Sequence, residues 1–253
     1  MKIGVKGLIL IFLAVILVSA LSVAGTVAYL SSEAENSGSA VTVGRVEVRI
    51  NEQARVDCTE NEHTLVQYEN SPIYPTYYSG SSIEWAPADE WVVPNDSAWK
   101  VVADNSGVID KFVTVTNTGT NAAYVRTLIA VEVGENAVAD PYIHVVVNDK
   151  NSTSEIGEWK WLDGFYNVNG STCAVAVVTY LNPVQPGETT VPSLKQVYLD
   201  KAVTNEMCES FGDSFDIYVK AQAVQSDNMG NLTAEEALEA AFPSIDPEKV
   251  FNN

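Results

Sequence analysis

The chain has 253 residues, with 33 acidic and 14 basic side chains, a formal net charge of −19 at pH 7, and 46 % hydrophobic residues. Phosphate polymers and anionic bilayers are bound through clusters of Lys and Arg, so this charge balance excludes a nucleic-acid-binding role and a standing attraction to membrane surfaces. The hydrophobic content is that of a folded core, so the acidity does not signal disorder.

The first predicted element is an export signal. Lys2 and Lys6 precede an apolar run over residues 8–24, and the small residues Thr26-Val27-Ala28 follow it. A charged start, an apolar stretch and small residues read as a secretory signal spanning residues 1–28, cut after Ala28 or after Tyr29. Contact with the membrane is then confined to export. The alternative is an uncut anchor, because the run approaches the roughly 20 residues a bilayer requires. Cleavage would leave 12 basic against 33 acidic residues, a net charge of −21. The remaining length of about 225 residues suits one large all-β domain or two small ones.

Residues 29–40 are small and polar and read as a flexible leader. A strand is expected next, with Val41 and Val43 on one side, then Val46, Val48 and Ile50 in shifted parity across Gly44, as a bulge or bend would give. Residues 68–99 differ in kind. They hold Pro72, Pro75, Pro87 and Pro94 among many aromatic residues, which argues for a long loop or insertion rather than a strand. Its length makes it a candidate contact surface through Trp85, Trp91 and Trp99.

Strand-like segments then recur at residues 112–116, 124–133, 142–147, 159–162, 165–168, 173–181, 194–199 and 215–225. Asp163-Gly164 lies between two of them and predicts a hairpin, since both residues tolerate positive φ. Residues 173–181 are apolar on both faces, as a central strand would be, and residues 183–188 read as a turn. Residues 234–242 carry strong helix formers, with Thr233 as N-cap, Glu236 three residues on to complete a capping box, and Pro243 to stop the helix. Many short strands and almost no helical period predict an all-β fold. The expected architecture is a jelly-roll-like antiparallel β-sandwich over residues 41–242 with one short C-terminal helix, followed by a tail at residues 243–253.

Little catalytic chemistry is legible. A zinc hydrolase needs about three protein ligands and a carboxylate base, typically two histidines one helical turn apart. Only His63 and His144 are present, neither in such a motif. No GxSxG nucleophile elbow and no Gly-rich phosphate loop occurs. Asp96, Asp104 and Asp227 could offer oxygen to calcium, but without EF-hand spacing they read better as solvated turns, and no other cofactor is indicated. Of the three cysteines, Cys58, Cys173 and Cys208, an oxidising exterior would let two bridge. Cys173 with Cys208 is the preferred pair, since both follow strand-like segments in the same half, and three reduced thiols are the alternative. Trp159 and Trp161 share one strand face, suited to core packing or to stacking on a sugar.

An ordered set of segments resembles the TasA/camelysin-like family, whose signal peptides are handled by a SipW-type signal peptidase. The set is Gly25-Thr26-Val27-Ala28-Tyr29-Leu30 with Val41-Thr42-Val43-Gly44-Arg45-Val46, then Asn117-Thr118-Gly119 with Ala123-Tyr124-Val125-Arg126. Pro186-Gly187-Glu188-Thr189-Thr190 and Phe215-Asp216-Ile217-Tyr218-Val219 with Gln222-Ala223-Val224-Gln225 complete it. The resemblance implies a secreted cell-surface or biofilm-matrix protein that forms homopolymeric fibres. In these, an N-terminal donor segment, here carrying Leu30, Val41 and Val43, completes the sheet of a neighbouring copy. Relatives described as metallopeptidases give a second expectation, and a monomeric adhesin using the aromatic insertion a third. The insertion at 68–99 and the three cysteines depart from the pattern.

Overall fold

In the computed structural model the described residues are 44–56, 64–69, 73, 108–133, 143–148, 153–204, 206 and 216–252. Their strands and helices belong to one compact unit, residues 43–253. Ten strands occur in them: β1 (Val48–Val56), β2 (Thr64–Gln67), β3 (Ile109–Asn117), β4 (Ala123–Glu132), β5 (Ile143–Val147), β6 (Lys160–Trp161), β7 (Tyr166–Val168), β8 (Ser171–Thr179), β9 (Leu194–Leu199) and β10 (Ile217–Gln225). The first sheet runs β2-β1-β3-β9-β5 and the second β10-β4-β8-β6, with β7 also on β8. All pairings are antiparallel. The chain crosses between sheets from β3 to β4, β4 to β5, β5 to β6, β8 to β9 and β9 to β10. This crossing nests β4–β8 beneath β3–β9, the winding expected of a jelly-roll-like sandwich.

Alternation along the strands explains why the sheets face each other. Val113 and Val115 of β3 meet Val125, Ile129 and Val131 of β4, with Val178 of β8 and Leu194, Val197 and Leu199 of β9, in two interior clusters that join both sheets. Burying one such side chain contributes roughly 1.5–3 kcal/mol, so register is strongly fixed where one face is enclosed. The even-numbered residues Leu128 and Ala130 of β4 face the other way, with Val175 and Val177 of β8. Two helices pack on that outer side. α1 (Ala234–Ala241) begins at Thr233, whose capping box with Glu236 is present as expected. α2 (Pro247–Phe251) follows Asp246, which accepts from the Lys249 amide, and buries Phe251 against Val168, Cys173 and Val175.

Two expectations are corrected. The segment at 243–253 is not only a tail, because Asp246 caps and Pro247 starts a second short helix. Asp163-Gly164 does not make a hairpin. β6 and β7 pair side by side along the same edge of β8, Lys160 opposite Val177 and Tyr166 opposite Cys173. Residues 162–165 span only the step from Val175 to Ala174, so Asp163-Gly164 is a bulge in an interrupted strand, with Gly164 at φ 89°. The hairpin is one turn later, at Asn169 (φ 51°) and Gly170 (φ 97°) between β7 and β8, where both central residues take positive φ.

Candidate functional site

β10 stands at one end of the second sheet, and among the described residues no strand pairs with its outer side. Glu132 donates its amide to the Asp216 carbonyl, and Ser226 donates to the Ala122 carbonyl. Together with the register Ile217–Val131 to Gln225–Ala123, these bonds fix the parity of the ladder. Even-numbered residues of β10 exchange hydrogen bonds with β4. Ile217, Val219, Ala221, Ala223 and Gln225 therefore aim their backbone N–H and C=O groups away from β4, and among the described residues no strand pairs with them. The same residues turn their side chains inward. Ile217 and Val219 pack on one interior cluster and Ala221 and Ala223 on the other, all of them half-buried.

Directly across the sandwich a second free stretch adjoins this edge, since β1 and β10 approach each other there. β2 covers β1 only from Gln53 to Val56, with one further bond from the Tyr68 amide to the Glu52 carbonyl. By that parity Val48 and Ile50 also point their backbone groups outward while their side chains pack inward. The seam between β1 and β10 thus combines outward backbone donors and acceptors with the half-buried apolar side chains of Val48, Ile50, Val219, Ala221 and Ala223. Outward backbone groups of this kind are the chemistry by which an extended segment adds to a sheet.

β10 itself is held firmly on its outer side. Arg126 of β4 donates through Nε to Gln222 Oε1 at 2.7 Å and stands over the Phe242 ring at 5.7 Å. Burial pushes the Arg126 guanidinium below its usual pKa, with Glu239 opposing that shift.

The expected site residues divide sharply. Ala28, Tyr29, Leu30, Val41, Val43, Cys58, His63, Trp85, Trp91, Asp96, Trp99, Asp104 and Cys208 lie outside the described residues. Cys173 is a free, buried thiol pushed up to about 12 by burial, with Glu132 and Asp216 adding to the shift. His144 lies on β5, where its Nε2 is 3.1 Å from the buried Asp200 carboxylate and its ring packs on Tyr198 at 4.8 Å. Asp227 accepts the Gln225 side-chain amide at its backbone carbonyl. Among the described residues no three His, Cys, Asp or Glu side chains gather as metal ligands would. Trp159 and Trp161 do share a face, in edge-to-face contact at 5.8 Å.

Sequence reasoning placed the β10 segment but missed that it ends a sheet. The alternation of Tyr218, Lys220 and Gln222 with inward apolar residues marks a two-faced strand, but it carries no mark of a terminal position. In comparisons with known proteins, no family model and no curated protein matches this chain.

Proposed function

We propose that this chain is an exported structural protein of the cell surface or biofilm matrix, and that its copies join by strand addition at β10. In this reading a SipW-type signal peptidase removes residues 1–28. The freed N-terminal segment of one copy, carrying Leu30, Val41 and Val43, pairs with the β10 edge of the next. Repetition gives a fibre in which each copy lends one segment and receives one. The observation that supports it is the coincidence, on Ile217, Val219, Ala221 and Ala223, of outward backbone groups and half-buried apolar side chains. Each hydrogen bond gained there contributes about 1 kcal/mol net, so several bonds plus apolar burial outweigh the ordering of a short segment.

The test is electron microscopy of the processed protein with and without residues 29–40. The intact form should give filaments, and the shortened form should stay monomeric with an unchanged circular dichroism spectrum. Normal filaments from the shortened form would reject the reading.

A further inference from the structure

The opposite edge of the second sheet carries a feature that assembly leaves unused. Trp161 is 48 % exposed and Phe165 is 38 % exposed, on either side of the Asp163-Gly164 bulge. Single exposed apolar side chains are common on protein surfaces, but an exposed Trp and an exposed Phe four positions apart on one short edge are a candidate contact region.

The patch is rigid. Trp159 packs into both interior clusters and meets the Trp161 ring edge-on, at an interplanar angle of 70°. Trp161 is thereby held in one orientation from the core side, with part of its ring left to solvent. The nearest cation does not compete for that ring. Lys160 alternates to the other face of the strand, where its Nζ is 3.7 Å from Glu235 of α1. The exposed Asp163 lies between the two aromatic residues in the chain. The indole Nε1 of Trp159 is buried and has no hydrogen-bond partner among the described residues, which leaves one further donor beneath the patch.

These groups select a ligand class. An exposed indole attracts cations to its ring face, most strongly among the aromatic side chains. It also offers a flat apolar surface of the size of a pyranose ring. A carboxylate beside it favours an ammonium group, and a chain of net charge −19 repels anionic polymers. We infer that the Trp161–Phe165 edge binds a polysaccharide bearing free amino groups, one sugar stacked on Trp161 with its ammonium drawn to the aromatic faces and to Asp163. The site is independent of β10 and of fibre formation.

Isothermal titration calorimetry of the protein recovered from its producing cells tests this with a chitosan hexamer, its fully acetylated counterpart and poly-lysine. The expected result is saturable binding of the chitosan hexamer, at least tenfold weaker binding of the acetylated one, and at least tenfold weaker chitosan binding by Trp161→Ala. Asp163→Asn should weaken chitosan binding severalfold. Thermal melts of both variants should match the parent, which separates lost binding from lost fold. Absence of saturable binding, equal affinity for the acetylated hexamer, or an undiminished affinity in Trp161→Ala would overturn the inference. So would poly-lysine binding equally tightly and surviving Trp161→Ala, since the attraction would then be charge alone.

Discussion

The two edges of the second sheet are built in opposite ways. β10 is nine residues long and regular, and among the described residues no strand pairs with the outward backbone groups of its odd-numbered residues. The β6–β7 edge is two short pieces broken by Asp163-Gly164, and two of its aromatic residues project into solvent. A long regular edge is a template for pairing, whereas short strands and bulges are the devices that prevent it. The contrast teaches that one sandwich can keep a long regular edge on one side and an interrupted one on the other.

The largest effect that sharpens this contrast comes from proline on β10. Gln222→Pro removes an amide bonded to β4 and the acceptor of the Arg126 Nε, which would cost on the order of 3 kcal/mol because a buried cation loses its shorter hydrogen bond and keeps only the Phe242 carbonyl. Ala221→Pro removes only an outward amide and should leave urea stability within about 1 kcal/mol of the parent, as edge positions tolerate proline. Assembly should nevertheless fail in Ala221→Pro. Equal destabilisation by both prolines would break the parity on which the edge rests.

On the other edge, excising Asp163 and Gly164 should let β6 and β7 run on as one strand. Light scattering should then show concentration-dependent association that the parent lacks at that side, tested in the background of Ala221→Pro. A monodisperse protein would mean that the bulge does not guard this edge. Smaller effects are expected at the turn glycines. Gly170→Ala and Gly164→Ala meet no neighbouring atom but force a side chain onto φ 97° and φ 89°, a strain of about 1–2 kcal/mol each. Denaturant titration measures both.

The mildest effect is a dependence on alkaline pH. Burial, with the charges of Glu132 and Asp216 adding to it, pushes the Cys173 thiol up to about 12, and burial with the Asp200 charge does the same to Tyr198. An unfolded thiol ionises near about 8.5 and a phenol near about 10. Folding therefore favours the protonated forms. Their contribution is complete below the unfolded values and is lost as pH rises toward 12. The urea midpoint should fall steadily from about pH 9 upward, with Cys173→Ala removing the earliest part of the slope.

Much of the sandwich was legible because its signals are local. The apolar run at 173–181 announced β8, and Thr233 with Glu236 announced α1 before any contact was known. The misread hairpin shows the limit. Asp163-Gly164 and Asn169-Gly170 are equally good turn pairs in one dimension. Only pairing with β8 decides that the second closes a hairpin and the first bulges out. The same holds for the β10 edge. Residues 217–225 carry a strand's alternation, but whether a strand is internal or terminal depends on what lies beside it, which no residue of its own records. α2 was missed because its packing is tertiary. Phe251 is buried by sheet residues far away in sequence, and Asn252 clamps the turn by accepting from the Asn169 amide and donating to the Asn167 carbonyl.

Residue-resolved amide hydrogen exchange on the isolated protein and on its assembled form tests the central claim most directly. In the isolated protein the amides of Tyr218, Lys220, Gln222 and Val224 should be protected while those of Val219, Ala221 and Ala223 exchange rapidly. On assembly the second set should become protected as well. Uniform protection along β10 before assembly, or rapid exchange of Val219, Ala221 and Ala223 after it, would contradict the account.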